Sequence, residues 1–159
     1  MKRAFTLVEL LVVISIMAIL TIITVSQFRT ARKRANDVAR KGDLNAVAKA
    51  LQLYFADYGV MPAEGVINNN WGKEFKDAAP TPYTYMVKLP TENTVGWLQY
   101  CYKNEGGTTP KKYALFAKLE VSSDSECEGH NYTCGGKSGY CYATVSPNAS
   151  LETNGDIKP

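Results

Sequence analysis

The sequence predicts an α+β protein: one long N-terminal α-helix, apolar in its first half, whose second half packs on a small antiparallel β-sheet of about three strands. Three observations carry this expectation. Residues 5–28 read as an apolar run with Glu9 as its one charge and neither Pro nor Gly. A helical apolar stripe then continues to Tyr58, and three short stretches rich in aromatic and β-branched residues follow residue 96. The chain thus divides into a short basic segment, 1–4, an apolar helical half, 5–28, an amphipathic helical half, 29–58, and a loop and sheet region, 59–159.

About 20 consecutive apolar residues span the hydrocarbon of a bilayer, so FTLVELLVVISIMAILTIITVSQF is long enough for one transmembrane helix. A cleaved secretory signal is the competing reading. It is disfavoured because the run exceeds the usual 7–15 residues and no small-x-small site ends it. Glu9 needs an account, because a carboxylate at this depth is costly and points by default to a specific partner. A cut just before Phe5 would put a new α-amine one helical turn from Glu9, and the exposed amides of a helix N-terminus favour a negative charge there.

Beyond the run, Ala31, Ala35, Val38 and Gly42 recur at three- and four-residue steps. Leu44, Val47, Ala48, Leu51, Tyr54, Phe55 and Tyr58 prolong the stripe between polar residues. Gly59 and Pro62 supply the stop. Such a helix would be about 80 Å long at 1.5 Å per residue, too long for the following domain to bury. Its first half needs lipid or other copies of itself, while Leu44 to Tyr58 can pack on a sheet.

The chain has 159 residues and a formal net charge of +3. That length allows one modest core after the helix and excludes a large doubly wound nucleotide fold. Arg29, Arg32, Lys33, Arg34, Arg40, Lys41 and Lys49 crowd one stretch that begins where the apolar run ends. Contact with anionic headgroups explains this placement, and no nucleic-acid-reading module accompanies it. Nucleic acid is therefore not expected as a direct partner.

Four cysteines, Cys101, Cys127, Cys134 and Cys141, are spaced by 26, 7 and 7 residues, and the chain has one histidine. Neither the spacing nor the histidine count suits a zinc site. Two disulfides in an oxidising, extracytoplasmic space are the better reading. This opposes a count of flanking basic residues, which by itself would leave the C-terminal part in the cytoplasm. The cysteines outweigh that count.

Residues 60–96 hold no sustained period and read as a loop region with a short helical turn around Trp71 to Ala78, where Trp71, Tyr83 and Tyr85 are packing candidates. Strands are predicted at Trp97 to Lys103, Lys112 to Leu119 and Gly139 to Val145. Thr144 to Pro159 reads as an irregular, partly mobile tail. Three disulfide pairings are possible, and the preferred one joins Cys127 to Cys134 across a loop and Cys101 to Cys141. A simple meander would separate the strands of Cys101 and Cys141 and so weaken that preference. Asp124, Glu126 and Glu128 form an acidic run that reads first as a solvated loop. His130 lacks a nucleophile and acid partner, and Asn131-Tyr132-Thr133 is read as a chance match to a glycosylation site.

The segment KRAFTLVELLVVISIMAIL resembles the class III signal of the type IV pilin superfamily, which includes pilins and the pseudopilins of type II secretion and competence systems. More weakly, KGDLNAVAKALQLYFADYGVMP resembles the second half of the family helix and the turn after it, as in major pseudopilins. The resemblance implies a pilin fold. Lys2 and Arg3 would be leader charges, cleavage by a prepilin peptidase would fall between Ala4 and Phe5, the new amine of Phe5 would be methylated, and Glu9 would act in assembly. Three positions depart from the family pattern: Ala4 for a usual Gly, Ala18 for a usual Gly and Ser26 for a usual Pro. The last two predict a more continuous helix. Calcium, known in a C-terminal loop of major pseudopilins, makes Asp124, Glu126 and Glu128 weak candidate ligands; no other cofactor is implied.

The function so implied is structural, with no enzyme activity. The first expectation is a type IV pilus-like filament subunit polymerised through its N-terminal helix. The alternative is a pseudopilin of a type II secretion or competence system. A different class, a non-polymerising extracytoplasmic binding module on one membrane tether, would leave the place of Glu9 and the long stripe unexplained. Expected partners are other copies of the chain, the prepilin peptidase, an inner-membrane assembly platform, minor pilins or pseudopilins, and the bilayer before assembly. The expected location is the cytoplasmic membrane with the C-terminal region outside the cytoplasm, then a surface or periplasm-spanning filament.

Overall fold

The uninterrupted helical pattern folds as one helix, α1 (Leu7–Tyr58), of 52 residues. It passes through Ala18 and Ser26 without a break, as the absence of Gly and Pro from this run requires. The computed structural model describes residues 6–92, 94 and 96–158. The chain divides into two units, the first ending at Asn36 and the second beginning at Asp37.

In the first unit the apolar side chains described on α1, from Leu7 to Ile22 and at Phe28, are exposed, Leu7 by 79% and Ile22 by 74%. Two hydroxyls within the run, those of Ser15 and Thr21, are satisfied locally. Ser15 Oγ donates to the Leu11 carbonyl at 2.8 Å and Thr21 Oγ1 to that of Met17 at 2.7 Å. Such back-bonding lets a hydroxyl sit in an apolar helix without an outside partner.

In the second unit Leu44, Val47, Ala48 and Leu51 of α1 are buried at helical spacing, with Tyr54 and Phe55 partly buried beyond them. Gly59, at φ +68°, ends the helix in the left-handed conformation that glycine accepts without a Cβ clash, and its N–H bonds to the Phe55 carbonyl. A short helix, α2 (Glu64–Asn68), follows where the sequence suggested a turn at Trp71 to Ala78 instead. Part of that stretch is extended: β1 (Phe75–Lys76) pairs with β2 (Thr84–Met86).

The main sheet is an antiparallel meander of β3 (Cys101–Asn104), β4 (Tyr113–Ala117) and β7 (Tyr142–Val145), in that order. Between β4 and β7 lies a hairpin of β5 (Tyr132–Cys134) and β6 (Lys137–Tyr140). The predicted strand at Gly139 to Val145 is therefore two strands that meet at Cys141.

All five residues of β4 are buried because both faces of the sheet are covered. Tyr113, Leu115 and Ala117 join the cluster formed with α1, while Ala114 and Phe116 join a second cluster with Tyr132, Tyr140, Leu151 and Ile157. This is the period-two alternation of a strand with a core on either side. The tail is held in this second layer: Leu151 bridges Ile157, and the Thr133 N–H bonds to the Asn154 carbonyl. The edge strand β3 is blunted by Asn68, whose amide donates to the Tyr102 carbonyl and accepts from the Tyr102 N–H, both at 2.8 Å.

The same two faces decide the disulfides. Cys101 is bonded to Cys134, and Cys127 to Cys141, which corrects the pairing preferred from the sequence. Cys101 and Cys134 lie in the cluster on the hairpin side of the sheet, whereas Cys127 lies in the helix-side cluster with Cys141 packed against it. The preferred pairs would each have had to cross the sheet.

Candidate assembly site at the helix N-terminus

The first turn of α1 is closed by a reciprocal cap. Glu9 Oε2 accepts from the Thr6 N–H at 3.0 Å and from Thr6 Oγ1 at 2.9 Å, and the Glu9 N–H donates to Thr6 Oγ1 at 3.3 Å. Thr-x-x-Glu before an apolar run is the sequence form of a capping box, which satisfies two amides that the helix cannot bond itself. Glu9 therefore has a partner in its own chain, and among the described residues its Oε1 accepts no bond. Lys2, Arg3, Ala4 and Phe5, the predicted leader charges, cleavage site and methylation site, lie outside the described residues.

An 18-residue window of α1 is apolar enough to cross a membrane, and none of it is buried. The basic run after it is exposed at Arg29, Arg32, Lys33 and Arg34.

Two later members of the basic stretch have another fate. Arg40 is 4% exposed and binds Asp37 at 2.8 Å, Glu92 at 2.5 Å and Glu120 at 3.0 Å, with Trp97 4.7 Å from its guanidinium. Asp37 in turn accepts the N–H groups of Glu120 and Val121. Burial disfavours the Arg40 charge, but the hydrogen bonds it donates to the three carboxylates outweigh it and hold the guanidinium more firmly protonated. The Glu92 carboxyl is pushed up by burial and, more strongly, down by Arg40 and Thr94, so it sits below its ordinary range. Sequence reading counted Arg40 as a basic surface residue; its i,i+3 spacing from Asp37 was the available signal.

The acidic run is placed against Lys41, whose Nζ meets Asp124 at 2.8 Å and Glu126 at 2.5 Å. The Lys41 hydrogen bond is the main reason the Asp124 carboxyl is held below its usual range. Glu128 is exposed, and among the described residues no group of three or more His, Cys, Asp or Glu is arranged to hold a metal. Two of the three weak calcium candidates, Asp124 and Glu126, are thus engaged with a lysine from α1. Trp71 packs edge-on against Tyr100 and Tyr85 against Tyr54, as packing candidates should, but Tyr83 is 59% exposed.

Residues 1–25 match the prokaryotic N-terminal methylation motif. The chain is 44% identical over 55 residues to the type IV wide pilus major component of Thermus thermophilus, a match covering 35% of this chain and 42% of that relative. It is 30% identical over 145 residues to the type II secretion system core protein G of Pseudomonas aeruginosa, covering 82% of this chain and 95% of that one. The chain belongs to the type IV pilin and type II secretion pseudopilin superfamily. No solved structure matches it.

As a superfamily member the chain is a structural protein and not an enzyme. The pilin-like division of labour is visible in its burial. In the second unit α1 contributes the buried Leu44, Val47, Ala48 and Leu51 to the core, whereas in the first unit the large apolar side chains described on α1 are exposed.

Proposed function

We propose that this chain is a pseudopilin-type filament subunit of a type II secretion or related system, cut between Ala4 and Phe5 by a prepilin peptidase and methylated at Phe5. The observation that carries the reading is the extent of similarity. The likeness to the secretion core protein runs through helix and globular region alike, while the likeness to the wide-pilus component is confined to 55 residues. In this reading the apolar half of α1 anchors the chain in the cytoplasmic membrane, with the disulfide-bonded unit outside the cytoplasm. An assembly platform and minor pseudopilins then carry it into a homopolymer cored by that helix. A type IV pilus subunit is the second reading, favoured by the higher identity, 44%, over the shorter match.

The test is the intact mass and N-terminal sequence of the protein recovered from sheared cell surfaces and from membranes. A methylated chain beginning at Phe5 and confined to the membrane and periplasm supports the pseudopilin. The same chain in the sheared fraction favours the pilus, and a chain retaining Met1 to Ala4 in both fractions overturns processing and with it both readings.

A further inference from the structure

On the second unit, the C-terminal turns of α1 and the β1–β2 hairpin enclose an open cleft of about 600 Å³ lined by Leu53, Asp57, Tyr58, Asp77, Tyr83 and Tyr85. The rings of Tyr83 and Tyr85 meet edge to face at 4.9 Å. The carboxylates face tyrosine hydroxyls: Tyr58 donates to Asp77 at 2.9 Å and Tyr85 to Asp57 at 2.8 Å. Elsewhere Asp37, Glu74, Glu92, Glu105, Glu120, Asp124, Glu126 and Asp156 each pair with a lysine or arginine. Among the described residues neither Asp57 nor Asp77 has such a cation. The cleft therefore offers two negative charges and the faces of electron-rich rings with no positive group to answer them.

The first unit carries the complement. Arg29, Arg32, Lys33 and Arg34 are exposed, and none is ion-paired among the described residues. In a membrane, anionic headgroups can answer these charges, but a subunit drawn from the membrane into a filament loses them. A patch on one copy that fits a different patch on the next is the heterologous contact from which open helical polymers are built.

We propose that the Asp57–Asp77 tyrosine cleft receives a basic side chain from the 29–34 segment of a second copy of this chain, a contact that rests on the polymerising reading above. Arginine suits the cleft better than lysine. Its planar guanidinium stacks on a tyrosine face while its fork of N–H groups reaches a carboxylate, whereas an ammonium makes a point contact and is more strongly hydrated.

The test uses the full chain in non-ionic detergent, titrated with a synthetic peptide of residues 27–36 and with the same peptide carrying citrulline at 29, 32 and 34 together with Lys33→Gln, read by the NMR signals of the tyrosine rings. The arginine peptide should bind at least tenfold more tightly than the uncharged one. Asp57→Asn with Asp77→Asn, which keeps an acceptor for each tyrosine hydroxyl, should reduce arginine-peptide binding to the citrulline level with the melting temperature unchanged. Tyr83→Ala, at an exposed position, should weaken it at least threefold. Equal binding of the two peptides, or undiminished binding to the double variant, overturns the proposal. Because the titration needs no filament, a chain that never polymerises in cells would sink the polymerising reading, while the pairing stands or falls on the peptide.

Discussion

Replacing Arg40 with Met should be among the most damaging single changes to the globular unit. The guanidinium is 4% exposed and neutralises Asp37 and Glu92, whose side chains are 4% and 7% exposed, together with Glu120 at 14%. Removing one partner from a buried ionic cluster leaves uncompensated charge and costs about 3–5 kcal/mol. Met retains most of the apolar stem, so the loss isolates the charge. The second unit runs from Asp37 to Pro159, and for a domain of that size about 1 kcal/mol moves the midpoint by about 3–5 °C. The expected fall is about 10–20 °C by near-ultraviolet circular dichroism of the full chain in detergent with disulfides intact. Adding Glu92→Gln and Glu120→Gln to the variant should recover part of the loss, because the cost lies in stranded carboxylates and the changes are coupled. A fall below about 3 °C, or no recovery, would refute the argument that these four residues act as one buried network.

Three further outcomes follow from the same geometry. Glu92, Asp124 and Asp156 are held below the ordinary carboxylate values of 4.5 and 3.8, so their contribution is present above those values and lost as pH falls through the lower folded ones; stability should be flat to about pH 5 and drop below about pH 4, while above about pH 10 the burial-raised Tyr113 and Tyr140 should make it fall again as unfolded tyrosines release protons the fold retains. Non-reducing peptide mapping should recover Cys101 with Cys134 and Cys127 with Cys141, and paired Ser substitutions should cost about 4 kcal/mol for the first bridge and about 3 for the second, since their separations of 33 and 14 residues close loops of different length. Asn68→Ala should cost about 1–3 kcal/mol in denaturant melts by leaving the N–H and carbonyl of Tyr102 unpaired, and a neutral result would mean that β3 does not need its cover.

The long helix and the three-stranded sheet were legible because each has a period that survives in sequence: the stripe from Leu44 to Tyr58, and aromatic or β-branched runs bounded by turn residues. The β1–β2 pair was not, because two and three residues at Phe75–Lys76 and Thr84–Met86 are too few to show alternation. The disulfides failed for a related reason. Pairing followed which face of the sheet each cysteine occupied, and the loop holding Cys127 carries no parity from which its face could be read. The acidic run was visible but its partner was not, since Lys41 lies 83 residues before Asp124. At the helix N-terminus the pattern Thr-x-x-Glu was present throughout, yet the unusual cost of a carboxylate in an apolar run pointed to the amine of Phe5, in the same chain or a neighbouring copy, and not to Thr6.

That cap sets up a substitution able to separate two roles of Glu9. Lipid tails are as apolar as leucine, so moving exposed residues such as Leu10, Leu11 and Ile14 from bilayer to filament core yields little net hydrophobic gain. If the chain polymerises as proposed, order in the core must then come from close packing and polar contacts, and the hydroxyls of Ser15 and Thr21 are already closed on their own backbone. Glu9 is closed as well, among the described residues through one oxygen. Glutamine serves a capping box as glutamate does, so Glu9→Gln should preserve the first turn while removing the charge, whereas Glu9→Ala removes both. If the negative charge recruits the amine of Phe5 during assembly, both variants should insert into membranes and both should lose filaments, with Gln no better than Ala. Filaments from Glu9→Gln at the level of the unaltered chain would assign Glu9 to the helix cap alone and remove charge pairing at this position from the assembly mechanism.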